Sequence, residues 1–150
     1  MNNYAKFGVM ILTSTVIMFG LMYLNTYEVN HLFFSETRLY MALMMGAAMA
    51  IIMLAFMLKM YTNRKVNMAI FAGSALVFII AISLVRSQST IDDTSWMKAM
   101  IPHHSIAILT SERANISDPR VRDLADSIIE AQRKEIKEMK ALIEDLEEKE

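Results

Sequence analysis

Three long runs without a charged residue restrict the fold of this 150-residue chain more than any other feature of the sequence. They cover residues 7–24, 40–58 and 68–85, and each is 18 or 19 residues long. A helix of that length rises ~27 Å, which is close to the hydrocarbon thickness of a bilayer. Three such runs in so short a chain favour membrane spans over buried helices of a soluble bundle. We therefore expect a three-span membrane domain over residues 1–86.

Basic residues beside these runs predict the orientation of the spans. Lys6 precedes the first span, and Lys59, Arg64 and Lys65 occupy the short segment after the second. Because cytoplasmic segments carry an excess of Lys and Arg, we place the N-terminus in the cytoplasm. Three crossings then place residues 87–150 on the outer side of the membrane.

The loop after the first span, residues 25–39, is expected on the same outer side. It contains His31, which could add a metal ligand to the histidines of the C-terminal segment. A lone histidine in a loop is more often only solvated, and we expect a solvated side chain here.

Charge and cysteine content exclude several classes of function. The net charge is −1, with 15 Lys and Arg against 16 Asp and Glu, so nucleic acid has no basic excess to recognise. The sequence contains no cysteine, which excludes disulfides and thiolate metal sites. A site for a soft metal must therefore use the 15 methionines and three histidines.

The densest group of such side chains follows the third span. Two methionines and two histidines fall within eight residues: Met97, Met100, His103 and His104. On a helix Met97, Met100 and His104 share one face, because positions i, i+3 and i+7 stack above one another. Thioether sulfur with imidazole suits Cu(I) better than a hard cation. The motif therefore predicts a copper site, with Cu(I) favoured and Ag(I) as a second candidate ion.

The charged C-terminal third predicts a helical hairpin. Asp92 and its neighbours are candidate N-caps for a helix that runs to about Ala114, and Asp118 with Pro119 indicates the start of a second helix. Pro102 lacks a backbone donor, so it either kinks the first helix or marks a start within it. Two helices of this length cannot enclose a core alone, so we expect a homo-oligomer.

The second helix of this hairpin carries a coiled-coil-like seam with alternating spacings of four and three. Its predicted members are Val121, Ala125, Ile128, Gln132, Glu135, Met139, Leu142 and Leu146. Gln132 and Glu135 are polar at positions that would ordinarily be apolar. One interpretation is a site that faces them, and the simpler alternative is a core with two polar residues that reach solvent.

The expected register of the hairpin brings this seam to the Met-His motif. If both helices rise equally from the turn, Met100 lies level with Arg133, and Met97 lies level with Ile136. The two polar seam residues are then within one turn of the motif. We interpret Met139 as a further sulfur ligand, and the two polar residues as hydrogen-bond partners that fix a histidine tautomer.

Methionine also recurs at every fourth position of the second span: Met41, Met45, Met49, Met53 and Met57. These side chains could pass Cu(I) along the membrane, or they could serve as flexible packing residues. We favour packing, because no acid, histidine or asparagine accompanies them within the span. Ala42, Gly46 and Ala50 form a small-residue face in the same span, which indicates helix contact.

Residues 92–143 resemble the bacterial family known as domain of unknown function 305. The matching residues are Asp93, Trp96, Met97, Met100-Ile101-Pro102-His103-His104, Ala107-Ile108, and then Ile128-Ile129, Gln132, Glu135-Ile136 and Met139. The resemblance implies a ferritin-like fold, copper or heavy-metal handling, and a bacterial plasma membrane as the location. Thr110 stands where the family often has methionine, which removes one possible sulfur ligand.

Three classes of function remain after these steps. The first is a membrane-anchored copper-binding protein for tolerance, storage or delivery, with a copper-handling protein as its partner. The second is an oligomeric membrane scaffold or accessory subunit without a metal of its own. The third is an enzyme, and a di-iron oxidase would need Glu-x-x-His pairs. Met100 and Ile101 precede His103 and His104 by three residues, so this test fails, while a copper oxidase stays open.

Overall fold

The computed structural model of the chain describes residues 2–149, and over these residues the fold is all-α. Its helices are α1 (Asn3–Leu21), α2 (Glu36–Phe56), α3 (Arg64–Ser87), α4 (Asp93–Arg113) and α5 (Pro119–Glu147), with a 3-10 turn at Val29–His31. No strand occurs within residues 2–149. The predicted class, three apolar helices followed by further helices, is confirmed.

The chain divides into two compact units. Within residues 2–149, the first unit comprises residues 2–22 and Thr37–Thr90, and the second comprises Tyr23–Glu36 and residues 91–149. The second unit therefore includes the loop after α1, which the division at residue 86 placed with the spans. Residues 23–36 precede the second span, and residues 91–149 follow the third. Two such segments can share one unit only if both lie on the same side of a membrane.

Each helix of the first unit is long and apolar enough to cross a membrane. The mean hydropathies of the most apolar windows of α1, α2 and α3 are 1.6, 2.2 and 2.6. Only 6% of this window is buried in α1 and in α3, against 28% in α2. A helix that faces lipid has apolar residues around its whole circumference, and little of its surface is covered by protein. These three helices match that description.

The first unit packs closely where α1 meets α2. Gly46 faces Thr15, and a Cβ atom added at Gly46 would overlap with the Thr15 hydroxyl. A larger residue at this position therefore requires the Thr15 side chain to move, and small residues commonly occupy such close helix contacts in membranes. Gly46 belongs to the small-residue face that the sequence predicts for the second span.

We expect Gly46→Ala to destabilise the first unit by about 1–3 kcal/mol, because the added methyl group overpacks the contact with Thr15. Adding Thr15→Ala removes the two nearest atoms and should restore most of the loss. Thermal unfolding of the purified protein in detergent measures both effects. Gly20→Ala is the control, since a Cβ there meets no atom within 4 Å. Equal melting temperatures for the parent and Gly46→Ala would contradict the close contact.

In the second unit α4 and α5 form an antiparallel hairpin. Asp92 caps α4 by accepting a hydrogen bond from the Ser95 N–H, and Asp118 caps α5 by accepting one from the Arg120 N–H. Both caps are those that the sequence predicts. Helix α4 continues through Pro102, whose side chain is buried, so this proline does not start a new helix.

The buried face of α5 differs in part from the predicted seam. Its buried residues are Ala125, Ile129, Ile136, Met139 and Ile143. Ala125 and Met139 are therefore predicted correctly. The predicted inward positions Val121, Ile128, Glu135 and Leu142 are instead exposed. Ala125 and Met139 fit two patterns with the same alternation of four and three. One pattern adds Ile128, Glu135 and Leu142, and the other adds Ile129, Ile136 and Ile143. The helix buries the second pattern, because the first would bury the charged Glu135.

Candidate metal centre

The register of α4 against α5 differs from the predicted one. Lys98 pairs with Glu147 at 2.6 Å, and Arg133 pairs with Glu112 instead of lying beside Met100. Helical side chains lean towards the N-terminus of their own helix. In an antiparallel hairpin, side chains of the first helix therefore lean away from the turn and side chains of the second lean towards it. A residue of the first helix then contacts a residue of the second with a higher number than equal rise of the two helices predicts. That lean accounts for about one residue on each helix, and the rest of the difference means that the two helices do not rise equally from the turn.

Three candidate sulfur ligands belong to the core of the hairpin. Met97 of α4 and Met139 of α5 are buried in one apolar cluster, together with Ile101 and Ile136. Met100 is half-buried and packs against the same cluster. The structure thus brings together methionines that are separated by about forty residues of sequence, as expected for a hairpin with short connections.

His104 lies at the edge of this core. Its side chain is 15% exposed, and its Nδ1 atom is 3.3 Å from Oε2 of Glu135. The two groups are not aligned for a hydrogen bond, so this buried nitrogen has no hydrogen-bond partner within residues 2–149. Burial lowers the pKa of His104, the Glu135 carboxylate opposes that shift, and His103 adds to it. The ring is therefore neutral near pH 7, as a metal ligand must be.

The polar residues of the seam form a short chain to His104. The Gln132 side-chain amide donates a hydrogen bond to Oε2 of Glu135 at 3.3 Å, and that same oxygen faces His104 Nδ1. A carboxylate beside Nδ1 favours the tautomer with its proton there, which leaves the Nε2 lone pair free for a metal. The arrangement can hold the imidazole in the form that binds a cation.

His103 lies apart from this group. It is exposed, and its ring centroid is 6.1 Å from that of His104, with 61° between the ring planes. Adjacent positions on a continuous helix point about 100° apart. Within residues 2–149, no group of three or more His, Asp or Glu side chains is arranged to hold a metal ion.

The sequence did not indicate that the loop of residues 23–36 packs against α4. His31 is 7% exposed, so the expectation of a solvated side chain is wrong. Its Nδ1 atom is 3.0 Å from the Ser105 hydroxyl, which accepts a hydrogen bond from the Tyr27 N–H at 2.8 Å. Ser105 can therefore donate its own proton to Nδ1, which requires a neutral His31. Ser105 is the residue after His104, so the loop is anchored beside the candidate centre.

We expect the second unit to lose stability as the pH falls. Burial chiefly lowers the pKa of His31, the charge of Lys140 lowers it further, and Glu28 opposes both. Above the ordinary histidine pKa of 6.5, the folded and unfolded chains both hold this ring neutral. Below it the unfolded chain binds a proton that the folded chain resists, so the free energy of unfolding decreases.

The fluorescence of Trp96, the single tryptophan of the chain, can follow this unfolding between about pH 7 and pH 5. His31→Gln should reduce the dependence of the unfolding midpoint on pH, while the ring of His104 supplies the remainder. His103→Gln changes an exposed ring and serves as the control. A slope for His31→Gln equal to that of the parent would contradict the assignment of a buried neutral ring.

The protein thus consists of a helical hairpin, with methionines in its core and a histidine at the edge, and of three apolar helices that precede the hairpin in the sequence. The chain belongs to the family Domain of unknown function (DUF305), whose profile matches residues 83–150. An uncharacterized protein of Acanthamoeba polyphaga mimivirus is 35% identical over 104 residues, which cover 65% of this chain and 68% of the viral protein. No solved structure matches the chain.

Proposed function

We propose that this protein is a membrane-anchored copper-binding protein that holds Cu(I), or Ag(I) in its place, for tolerance, storage or delivery. The observation that carries the proposal is the burial of Met97 and Met139 in one core, with His104 at its edge. Thioether and imidazole donors favour soft monovalent ions. Because the chain has no cysteine, no thiolate competes for the ion.

Each residue of the centre has a proposed role. The sulfur atoms of Met97, Met100 and Met139 bind the ion together with Nε2 of His104. The Glu135 carboxylate, held in turn by the Gln132 amide, orients the imidazole. The exposed ring of His103 serves a second role, either in first capture of an ion from solvent or in a neighbouring subunit.

The centre is proposed to be completed by a second copy of the chain. Four exposed apolar side chains share one side of α5 with Glu135, next to the buried face: Val121, Leu124, Ile128 and Leu142. An apolar strip on a water-facing helix is unfavourable unless it is covered. A second hairpin packed there gives a four-helix bundle of the ferritin-like kind and shields Glu135 and His104 from water. Shielding strengthens their electrostatic interaction.

The proposed location is a bacterial plasma membrane, with the N-terminus in the cytoplasm and the hairpin in the periplasm or outside the cell. The basic residues Lys6, Lys59, Arg64 and Lys65 support this orientation, because segments that flank spans on the cytoplasmic side carry an excess of Lys and Arg. Delivery from that position requires a copper-handling protein as partner.

Titration of the full-length protein with Cu(I) in detergent, without oxygen and against a Cu(I) chelator, tests the proposal. We expect stoichiometric binding, and we expect Glu135→Gln to weaken it by about 10–100-fold, as loss of a residue that orients a ligand commonly does. Glu144→Gln, an exposed acid on the opposite side of α5 from Glu135, is the matched control. A parent protein that binds no copper would favour the alternative of an oligomeric scaffold without its own metal.

A further inference from the structure

A groove between α1, α2 and α3 runs along the first unit. Its volume is about 510 Å³, within the ~300–1,000 Å³ that is typical of ligand pockets. Residues of all three helices line it, and nearly all of them are apolar or small: Phe7, Leu12, Ala47, Ala69, Ile70 and Val77. This groove belongs to the membrane unit and is separate from the candidate metal centre.

Glycines keep the groove open. A Cβ atom added at Gly8 or at Gly73 would meet no atom within 4 Å, although both residues line the groove. Gly46, also in the lining, is by contrast packed against Thr15. Protein interiors are otherwise filled to a density that leaves few voids larger than water, so an open apolar groove in a membrane calls for an apolar occupant.

The groove reaches Tyr4, at the basic end of the first unit, although no basic side chain within residues 2–149 lines the groove itself. Tyr4 lines the groove, donates a hydrogen bond to Asn67 Oδ1 at 2.8 Å, and accepts one from the Asn63 N–H at 3.0 Å. This contact places the beginning of α1 beside the beginning of α3. The four basic residues of that end are Lys6, Lys59, Arg64 and Lys65. The sequence has no Asp or Glu before Glu28, and none between Glu36 and Asp92.

We propose that the groove binds one anionic phospholipid, with an acyl chain against the glycines and the phosphate beside the basic residues. The alternative occupant is a helix from a second copy of this chain. A second copy in the same orientation would bring the same four cations to the same end, and like charges placed together oppose association. An anionic headgroup instead neutralises them, because basic clusters beside a membrane attract anionic lipids.

Native mass spectrometry of the full-length protein tests this site. The protein is reconstituted in vesicles of phosphatidylglycerol and phosphatidylcholine, extracted in mild detergent, and examined for retained lipid. We expect the parent to retain phosphatidylglycerol, and Gly8→Leu with Gly73→Leu to retain roughly tenfold less, because the new side chains fill the groove. Gly20→Leu is the control: its position is equally open but lies outside the groove.

A charge variant tests the headgroup separately. Replacing Lys6, Arg64 and Lys65 by glutamine should remove the preference for phosphatidylglycerol over phosphatidylcholine. Equal retention of the two lipids by the parent would overturn the proposal. Unchanged lipid retention by the leucine variants would also overturn it. If those variants lost oligomers but kept the lipid, the groove would instead bind a helix of a second copy, and the proposal would be wrong. Copper affinity stays at the parent value in every lipid variant.

Discussion

Replacing Met97 and Met139 together by leucine is expected to lower the affinity for Cu(I) by at least about a hundredfold, since losing even a residue that only orients a ligand costs 10–100-fold. The change removes two buried sulfur donors and preserves side-chain volume. Exchanges between methionine and leucine usually cost less than about 1.5 kcal/mol of stability, so the hairpin should stay folded. Competition with a Cu(I) chelator measures the affinity, and circular dichroism checks the helix content.

The matched control places the same exchange in the membrane. Met45→Leu with Met49→Leu removes two sulfurs from the second span, where we interpret methionine as a packing residue. This variant should bind copper as the parent does. A comparable loss in both variants would contradict a centre confined to the hairpin and would favour the series of methionines along the second span.

Ile129→Ala is expected to destabilise the hairpin by about 2–5 kcal/mol, the range observed for truncation of a buried isoleucine. Ile129 is 9% exposed and belongs to the core cluster, so its truncation removes apolar contacts and leaves a cavity. Denaturant unfolding followed by Trp96 fluorescence reports the change at the hairpin itself. Because the native free energy of unfolding is only about 5–15 kcal/mol, a loss of this size is large.

The neighbouring Ile128 provides the control with the same chemistry. It is 36% exposed on the side of α5 that the predicted seam placed inward. Ile128→Ala should change the free energy of unfolding by about 0.5 kcal/mol or less at protein concentrations that keep the chain monomeric. It should weaken association between copies, which analytical ultracentrifugation measures. A larger loss of hairpin stability for Ile128→Ala than for Ile129→Ala would contradict the observed packing.

The spans and the helix caps could be predicted from the sequence because each depends on local chemistry. A run of 18 apolar residues such as 7–24 matches a bilayer by its length alone. Asp92 and Asp118 cap helices through their own side chains, three and two residues along the chain. The Met-Ile-Pro-His-His run likewise identified the family from adjacent residues.

The face and register of α5 could not be predicted fully from spacing. Two sets of positions fit the alternating spacing of four and three residues: one includes Ile128 and Glu135, and the other includes Ile129 and Ile136. The charge of Glu135 is the feature that marks the first set as the exposed one. The predicted register assumed that both helices rise equally from the turn, and spacing alone does not fix the axial offset between them. Even so, Glu135 contacts His104, so the expected neighbourhood of these two residues is present.

The packing of the loop after α1 had no local signal. His31 and Ser105 are 74 residues apart in the sequence, and neither has a neighbour pattern that indicates the other. Their contact depends on the tertiary packing of residues 23–36 against α4. A lone histidine in a polar loop is therefore a position where sequence alone underestimates burial.

X-ray absorption spectroscopy of the full-length protein loaded with Cu(I) can identify the atoms bound to the metal and so distinguish a thioether centre from other sites. We expect sulfur and nitrogen neighbours in the parent, and a clearly smaller sulfur contribution, from Met100 alone, in the variant with Met97→Leu and Met139→Leu. A spectrum with nitrogen and oxygen neighbours alone, or one that these two substitutions leave unchanged, would contradict a thioether centre in the hairpin core.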